Sequence, residues 1–418
     1  MRLLIAIALL VLCGCRTHRF EDGTGKSISK REPFRGVPST NLTDGCVEDY
    51  RPDVDYFPDK TALRYARIFT VSYHGNYKVV KLAADPGVTS NEKVTDTMVL
   101  LQCGTPAPVL TGKLAGATLI TIPLMTIAAN DNCDIAAISE LGFDDRMTAV
   151  GGGEIYNEKV RERWRRKELA SIGYAWHTLP NVEVLLAQPP DAVFIRRSTL
   201  EHGEAVTRAR SLGIRAVPSL SRREGHYLGF AEWVKYFALF LNAERTADNL
   251  FTQVSEKSER LTRQAQQARV KPTVFWGDHT AGGTWSVARS PHDLLTSYLT
   301  DAGAINPFFD GKALPGGEVP NEKLLGIAAE ADFWLTSSRT MKGWPDESFL
   351  SHFKAYRSHR VYSHHKRSDG KLNIWDWYET GALRPDLVLE DLVSLFHPEI
   401  VSNHELMFFE RSEREVSH

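Results

Sequence analysis

The sequence predicts an α/β protein of two similar lobes, each with a mostly parallel sheet flanked by helices, joined by one long α-helix. Three observations predict it. First, one pattern occurs twice: Leu179-Pro180-Asn181-Val182-Glu183-Val184-Leu185-Leu186 followed by Asp191 to Ile195, and Val319-Pro320-Asn321-Glu322-Lys323-Leu324-Leu325 followed by Asp332 to Leu335. In each copy Pro and Asn open a helix, Asn as its N-cap, a Glu sits in the first turn, a Leu pair faces the core and a short apolar strand follows. The copies stand about 140 residues apart, the size of a domain. Second, strand-like and helix-like stretches alternate in both halves, which argues parallel sheets. Third, the halves are separated by a long stretch of helical periodicity.

The elements follow in order. Met1-Arg2 is a short basic start, and Leu3 to Leu12 is an apolar run too short to span a bilayer but right for a signal. It runs into Leu12-Cys13-Gly14-Cys15, which resembles the lipobox of bacterial lipoproteins. The resemblance implies residues 1–14 as signal peptide and Cys15 as the lipidated residue, against an ordinary secretory signal as the alternative. No later segment approaches transmembrane length. Residues 15–60 are polar and without period and are expected to be a flexible tether.

A first lobe is expected over 61–225. Ile68 to Ser72 and Tyr77 to Leu82 flank a Gly75-Asn76 turn, predicting an added β-hairpin. Met98–Gln102, Ala117–Ile122 and Asp145–Val150 read as strands, and Asn132–Leu141 as a helix closing at Gly142. Then come the first repeat, a helix Glu204–Leu212 ending at Gly213, and a strand Arg215–Pro218. Residues 226–270 are the connector. Trp233, Phe237, Phe240, Ala247, Leu250, Phe251 and Val254 recur at helical steps, which predicts one helix of about 40 residues, or two with a break near Asn242. The second lobe takes 271–418. It has a strand Thr273–Trp276, a helix Pro291–Ala302, the second repeat, a helix Phe349–Ala355, a strand Arg360–Ser363 and a helix Pro385–Phe396 with Pro at its first position.

A net charge of −2 excludes the basic excess expected of a nucleic-acid binder. Cys46, Cys103 and Cys133 remain beyond the leader, and an exported compartment permits one disulfide. Cys103–Cys133 is the pairing expected, leaving Cys46 over, although spacing does not decide it. None has CxxC spacing, so no zinc or redox role is expected.

These pieces carry a resemblance. Glu140 to Arg146, Gly151 to Tyr156, Ala231 to Tyr236, Gly282-Gly283-Thr284-Trp285, Asp301 to Ala304, Arg384 to Leu389 and His397-Pro398-Glu399 are similar, in order and spacing, to bacterial substrate-binding lipoproteins of ABC importers. The class meant has two lobes joined by one rigid helix and takes up cobalamin, ferric siderophores and haem. The resemblance runs from about Tyr65 to Glu410. It implies a monomeric, lipid-anchored protein of the periplasm or cell surface, with no enzymatic activity and no resident cofactor, whose partners are its cargo, an ABC permease and its ATPase. In that class one carboxylate per lobe docks on permease arginines, and Glu183 and Glu322 stand at the matching positions. A role confined to complementing the helix dipole is the alternative.

The cargo is expected between the lobes, at the carboxyl ends of the strands. On the first lobe the candidates are Asn130, the Gly151-Gly152-Gly153 loop and Tyr156. On the second they are His279, Trp285, Arg367 and Trp377, the last two in a stretch Ser363 to Glu379 where cations, imidazoles and aromatic rings gather. Such a lining suits flat anionic ligands through charge and cation–ring contacts. A solvated charge run followed by an aromatic core plug is the alternative there. A bare zinc or manganese carrier would need about three converging His with carboxylates, and only His364 and His365 are adjacent. G-x-S-x-G, H-E-x-x-H and P-loop motifs are absent from the sequence. A structural or sensing lipoprotein that has lost its transporter is the remaining alternative.

Overall fold

A computed structural model describes residues 33–84, 93–309 and 318–413. The leader and Cys15 lie outside them. The predicted strands sort into three main sheets. The first lobe carries a five-stranded sheet in the order Ala216–Ser219, Ala192–Arg196, Ile127–Ala129, Met147–Val150, Ala170–Ser171, every neighbouring pair parallel. In the second lobe the order is Trp285–Val287, Val274–His279, Phe333–Thr336, Val361–Ser363, Glu410–Arg411. Its three inner strands are parallel and its two edges antiparallel. Crossing helices run against parallel strands, so their N-termini and the strands' carboxyl ends share one side of each sheet.

The third sheet is larger than the predicted hairpin. Phe69–His74 and Tyr77–Ala84 pair around Gly75-Asn76, and Val94–Gln102 and Thr118–Ile122 extend them into four strands. Two strands expected in the first lobe's sheet therefore belong to this addition, and that lobe's sheet begins at Ile127.

The segment expected to be a tether is folded from residue 33 on. Tyr56 and Phe57 are fully buried, and Val47, Val54 and Tyr56 form a small core of their own. Within it Asn41 Nδ2 donates to Glu244 at 2.7 Å and Asp59 accepts from Arg245 at 2.6 Å, and the residues that follow it are held by distant acceptors too. Glu232 accepts the amides of Arg64, Tyr65 and Ala66, and Glu224 those of Arg67 and Ile68. Buried backbone donors are satisfied this way without a local period in the sequence.

The disulfide expectation is corrected for the same reason. Cys46 folds against the added sheet, where Val47 N donates to Cys103 O at 2.9 Å, and the bond joins Cys46 to Cys103 with Cα atoms 4.7 Å apart. Cys133 is the free thiol, buried at the start of helix Asn132–Glu140. The bridge closes a loop with a sequence separation of 57. Replacing both its cysteines by Ser is expected to lower unfolding stability by about 2–4 kcal/mol. Urea denaturation checks it, and an unchanged midpoint would refute it.

The connector is the broken form. Helices Tyr227–Ala231, Val234–Leu241 and Glu244–Gln266 follow one another, with Asn242 capping the second in the left-handed region at φ 57°. Asn tolerates that conformation better than most residues, and it ends helices there. Ala247, Phe251, Val254, Leu261 and Ala265 bury one stripe of the last helix. One continuous hydrophobic cluster runs from the added sheet through the connector to the inner face of the second lobe, while the outer face of each lobe's sheet has its own cluster. The expected helix Phe349–Ala355 is two short ones, Glu347–Leu350 and Lys354–Arg357. Among the described residues no helix is long and apolar enough to cross a membrane.

Candidate functional site

The two sheets turn their carboxyl ends toward each other. On the first lobe, Asn130 and Asp131 follow strand Ile127–Ala129, Tyr174 to His177 follow Ala170–Ser171, Arg196 ends Ala192–Arg196, and Arg222 follows Ala216–Ser219. Asp131 is the N-cap of helix Asn132–Glu140, its side chain accepting from Cys133 N at 3.0 Å. The same carboxylate takes both Nε and Nη2 of Arg222 at 3.1 and 3.2 Å and lies 3.6 Å from Arg196 Nε. Burial opposes the charge on Asp131, but Arg222 and Arg196 outweigh it and hold the carboxyl below its usual range. Its neighbour Asp134 goes the other way. Burial, then the Asp131 charge, lift it well above the usual range, and Ser219 Oγ donates to its Oδ1 at 2.8 Å. Two guanidiniums against one ionised carboxylate leave this wall with one positive charge in excess.

Aromatic rings lie over those cations. Arg196 Cζ stands 3.8 Å from the Trp176 ring centroid, and Arg222 Cζ stands 5.2 Å from both Trp176 and Tyr378. Trp176 is 50% exposed, so the stack is open on one side. Arg196 Nη1 and Asn130 Nδ2 are buried without a hydrogen-bond partner among the described residues. Unpaired buried donors are costly, and these two stand in the same wall.

The second lobe supplies Tyr378 together with His364 and His365. The His365 ring is 4.5 Å from Trp375, and His364 is 4.1 Å from Trp377. Burial disfavours the charged form of both imidazoles, pushing His365 down to about 4 and His364 well below its ordinary value with the help of its neighbour.

The predicted residues divide. Asn130 is in the wall, its Oδ1 accepting from Arg196 N at 3.0 Å. Tyr156 lies at the seam between the lobes with the Arg367 guanidinium 5.2 Å from its ring centroid. Arg367 is held by Asp376 at 2.5 Å. Trp377 is partly buried, packed among Trp276, His364, Phe408 and Phe409. Trp285 is corrected outright: it is 0% exposed in the outer cluster of the second lobe and donates Nε1 to Asn321 Oδ1 at 2.7 Å. A strand residue on the pleat face turned to the outer helices is buried there whatever its neighbours in sequence. His279 ends its strand 4.8 Å from that same ring. The Gly triplet serves the fold, since a Cβ on Gly151 would come within 3.0 Å of Asn130 O and Tyr174 Cα, and one on Gly153 within 2.5 Å of the Trp164 ring.

Sequence reasoning missed Arg196, Arg222, Trp176 and Tyr378. Arg196 carried a signal: a charge directly after the apolar run Ala192 to Ile195, at a strand end. Arg222, inside Ser221-Arg222-Arg223-Glu224, carried none.

Glu183 and Glu322 are exposed in the first turns of helices Val182–Ala187 and Asn321–Ala328. Among the described residues neither has an ion-pair partner. Asn181 caps its helix as expected, accepting from Glu183 N and Val184 N. Asn321 does not; Pro320 stands at the cap position and Asn321 holds Trp285 instead.

Comparison with known proteins places this geometry. The chain is 24% identical over 301 residues to an uncharacterized lipoprotein of Methanocaldococcus jannaschii, covering 70% of this chain and 69% of the relative. Its fold is similar to that of the periplasmic heme-binding protein RhuT from Roseiflexus sp. RS-1 in apo form, with TM-score 0.50, 18% identity, and coverage of 65% of this chain and 97% of that one. It is also similar to the siderophore binding protein BauB bound to acinetobactin and ferric iron, with TM-score 0.50, 13% identity, and coverage of 75% and 98%. These likenesses show the two-lobed fold. A family profile described as periplasmic binding protein matches residues 127–367, from the first strand of the first lobe's sheet to Arg367. The added sheet precedes that match. With more than half its length matched, the chain belongs to the periplasmic binding protein family, whose members bind solutes and are not enzymes.

Proposed function

We propose that this protein is the extracytoplasmic, lipid-anchored cargo-binding component of an ABC importer, and that its cargo is an anionic complex with flat aromatic parts, of the ferric siderophore, corrinoid or haem type. One observation carries the reading. Arg196 and Arg222 share the single carboxylate of Asp131 beneath Trp176 and Tyr378, leaving a positive charge and a buried free donor at the carboxyl ends of the strands. Planar guanidiniums suit carboxylate, catecholate or propionate oxygens in pairs, and the rings suit a conjugated body. Asn130 and Tyr156 complete the first lobe's side, and Arg367 and the two imidazoles the second's. Among the described residues no three His, Cys, Asp or Glu converge as a metal site, so charge and ring recognition of a complex accounts for this lining better than a bare ion does. Cys15 anchors the protein, and Glu183 and Glu322 seat it on the permease, where ATP is hydrolysed by another subunit.

The test is capture by a soluble form starting at Arg16. It is mixed in turn with cobalamin, haemin and a ferric siderophore panel, desalted, and read by its visible spectrum and tryptophan quenching. A retained chromophore establishes the cargo class. Retention of zinc or manganese with no coloured cargo would replace this reading with a metal-ion carrier. With a retained cargo in hand, Arg222→Ala is expected to weaken it about 10–100-fold, as loss of a charge-assisted hydrogen bond implies. Unchanged affinity in titration would remove the arginine wall from the site.

A further inference from the structure

The seam between the lobes carries a second arrangement, independent of what the cleft holds. Glu379 belongs to the second lobe, is 2% exposed, and sends both carboxylate oxygens across to the first. Its Oε1 accepts from Tyr156 N at 2.5 Å and from Asn132 Nδ2 at 3.2 Å, and its Oε2 accepts from Asn157 N at 2.8 Å.

These donors have a particular place. Asn157 is the N-cap of helix Glu158–Arg165, and its own side chain accepts from Val160 N at 3.2 Å. In the usual capping box the residue three past the cap is Glu or Gln, which reaches back to the cap's amide. Here that residue is Val160, which has nothing to offer. The box is completed from the opposite lobe by Glu379. Arg161 of that helix already donates to Ile155 O and Tyr156 O at 2.7 and 2.9 Å, so it orders the same loop from within its own lobe.

The residues around Glu379 dock with it. Asp376, fully buried, holds Arg367 beside the Tyr156 ring. Tyr378 O accepts from Cys133 Sγ at 2.9 Å, and the Tyr378 ring faces Arg222. We propose that Glu379 is the positioning residue that registers the two lobes, capping the first lobe's helix from the second and thereby holding Tyr378 over Arg222. Its three bonds join the two lobes, so any parting of the lobes at this seam breaks them.

Burial lifts the Glu379 carboxyl from its ordinary 4.5 to about 8, against the two amides. The charged groups around it are Asp376 on its own segment, Glu158 and Arg161 on the capped helix and Glu140 on the helix before, all lining one cavity of about 340 Å³. A carboxyl raised by burial in the seam favours the seam contact fully below its ordinary 4.5 and loses that contribution as pH rises through about 8.

Hydrogen exchange on the full folded chain, without cargo, tests this. The amides of Tyr156 and Asn157 are expected to be protected in the native protein. Glu379→Ala is expected to speed their exchange about tenfold or more, while strands Ile127–Ala129 and Phe333–Thr336 keep theirs. Glu379→Gln keeps an acceptor and cannot ionise. Its single oxygen replaces only one of the two carboxylate oxygens, so it is expected to keep one of the two amides protected and to lose the native protein's extra opening between about pH 4.5 and about pH 8, measured after correction for intrinsic exchange. Protection of both amides surviving Glu379→Ala overturns the proposal. So does loss of protection spread evenly through both sheets, or a pH profile that persists in Glu379→Gln. The cargo assay is separate, so failure here leaves the cargo reading standing, and the reverse.

Discussion

Reversing both Glu183 and Glu322 to Lys is expected to abolish uptake while leaving cargo affinity unchanged. Each side chain stands in the first turn of a short helix, one per lobe, exposed and without an ion partner among the described residues. Helix N-termini lie on the cleft side of both sheets, so the pair presents two negative charges to whatever faces the closed cleft. A partner with a matching pair of arginines would meet two repulsions after reversal in place of two charge-assisted pairs. Single reversals are expected to lower uptake about tenfold or more, since one mismatched charge already costs several kcal/mol. Stability is expected to fall by only about 0.3–1 kcal/mol per site, the worth of a first-turn carboxylate on a helix dipole. Uptake of the retained cargo by whole cells, beside equilibrium titration of the soluble form, checks both halves. Lost affinity would place the glutamates in the fold or the cleft, and normal uptake would end the docking assignment.

The largest stability effect is expected at Lys78. This residue of strand Tyr77–Ala84 is wholly buried, as is Glu244, its ion-pair partner at the start of the last connector helix. Lys78 Nζ also donates to Leu239 O and Asn242 Oδ1, both at 2.8 Å, and Asn41 Nδ2 donates to Glu244 at 2.7 Å. Burial pushes the Lys78 ammonium down and the Glu244 carboxyl up, and their pairing, with the Asn41 hydrogen bond to Glu244, opposes it. Lys78→Met leaves Glu244 buried and unpaired, and is expected to cost about 3–5 kcal/mol in denaturant unfolding. Adding Glu244→Gln removes the stranded charge and is expected to restore most of that loss, because replacing both partners is far milder than removing one. A double variant as unstable as the single would show that shape, not charge, governs the site.

Much of the fold was legible because local signals and tertiary context agreed. Gly142, Gly213 and Gly303 end helices in the left-handed conformation where the sequence placed their ends. The Gly75-Asn76 turn set the hairpin register, and Pro385–Phe396 begins and ends where its Pro and its apolar period predicted. What was not legible depends on partners far along the chain. Residues 33–68 have no period of their own and are ordered by Glu224, Glu232 and Glu244, more than a hundred positions away. The disulfide follows from that folding, not from spacing. In the cleft, Trp285 and Trp176 are the same residue type beside glycine or small residues, yet one is core and the other open. The difference is which side of a sheet, or which loop beyond it, each occupies, and that is settled only when the layers pack. Glu183 and Glu322 stood out in the sequence because a repeat makes the same statement twice, whereas Arg196 and Arg222 each occur once.

The break at Asn242 has a mechanical meaning. The helix beyond it, Glu244–Gln266, leans on the second lobe, where Lys257 pairs with Glu390 of Pro385–Phe396 at 2.7 Å. It is a lever about 35 Å long, so about 3° of play at its root would carry its far end about 2 Å. Lys78 and Asn41 clamp that root to the added sheet, on the residues that flank the break. The addition thus works as a splint across the weakest point of the spine, and angular slack that would blur the alignment of two distant lobes is taken out where it would be most amplified.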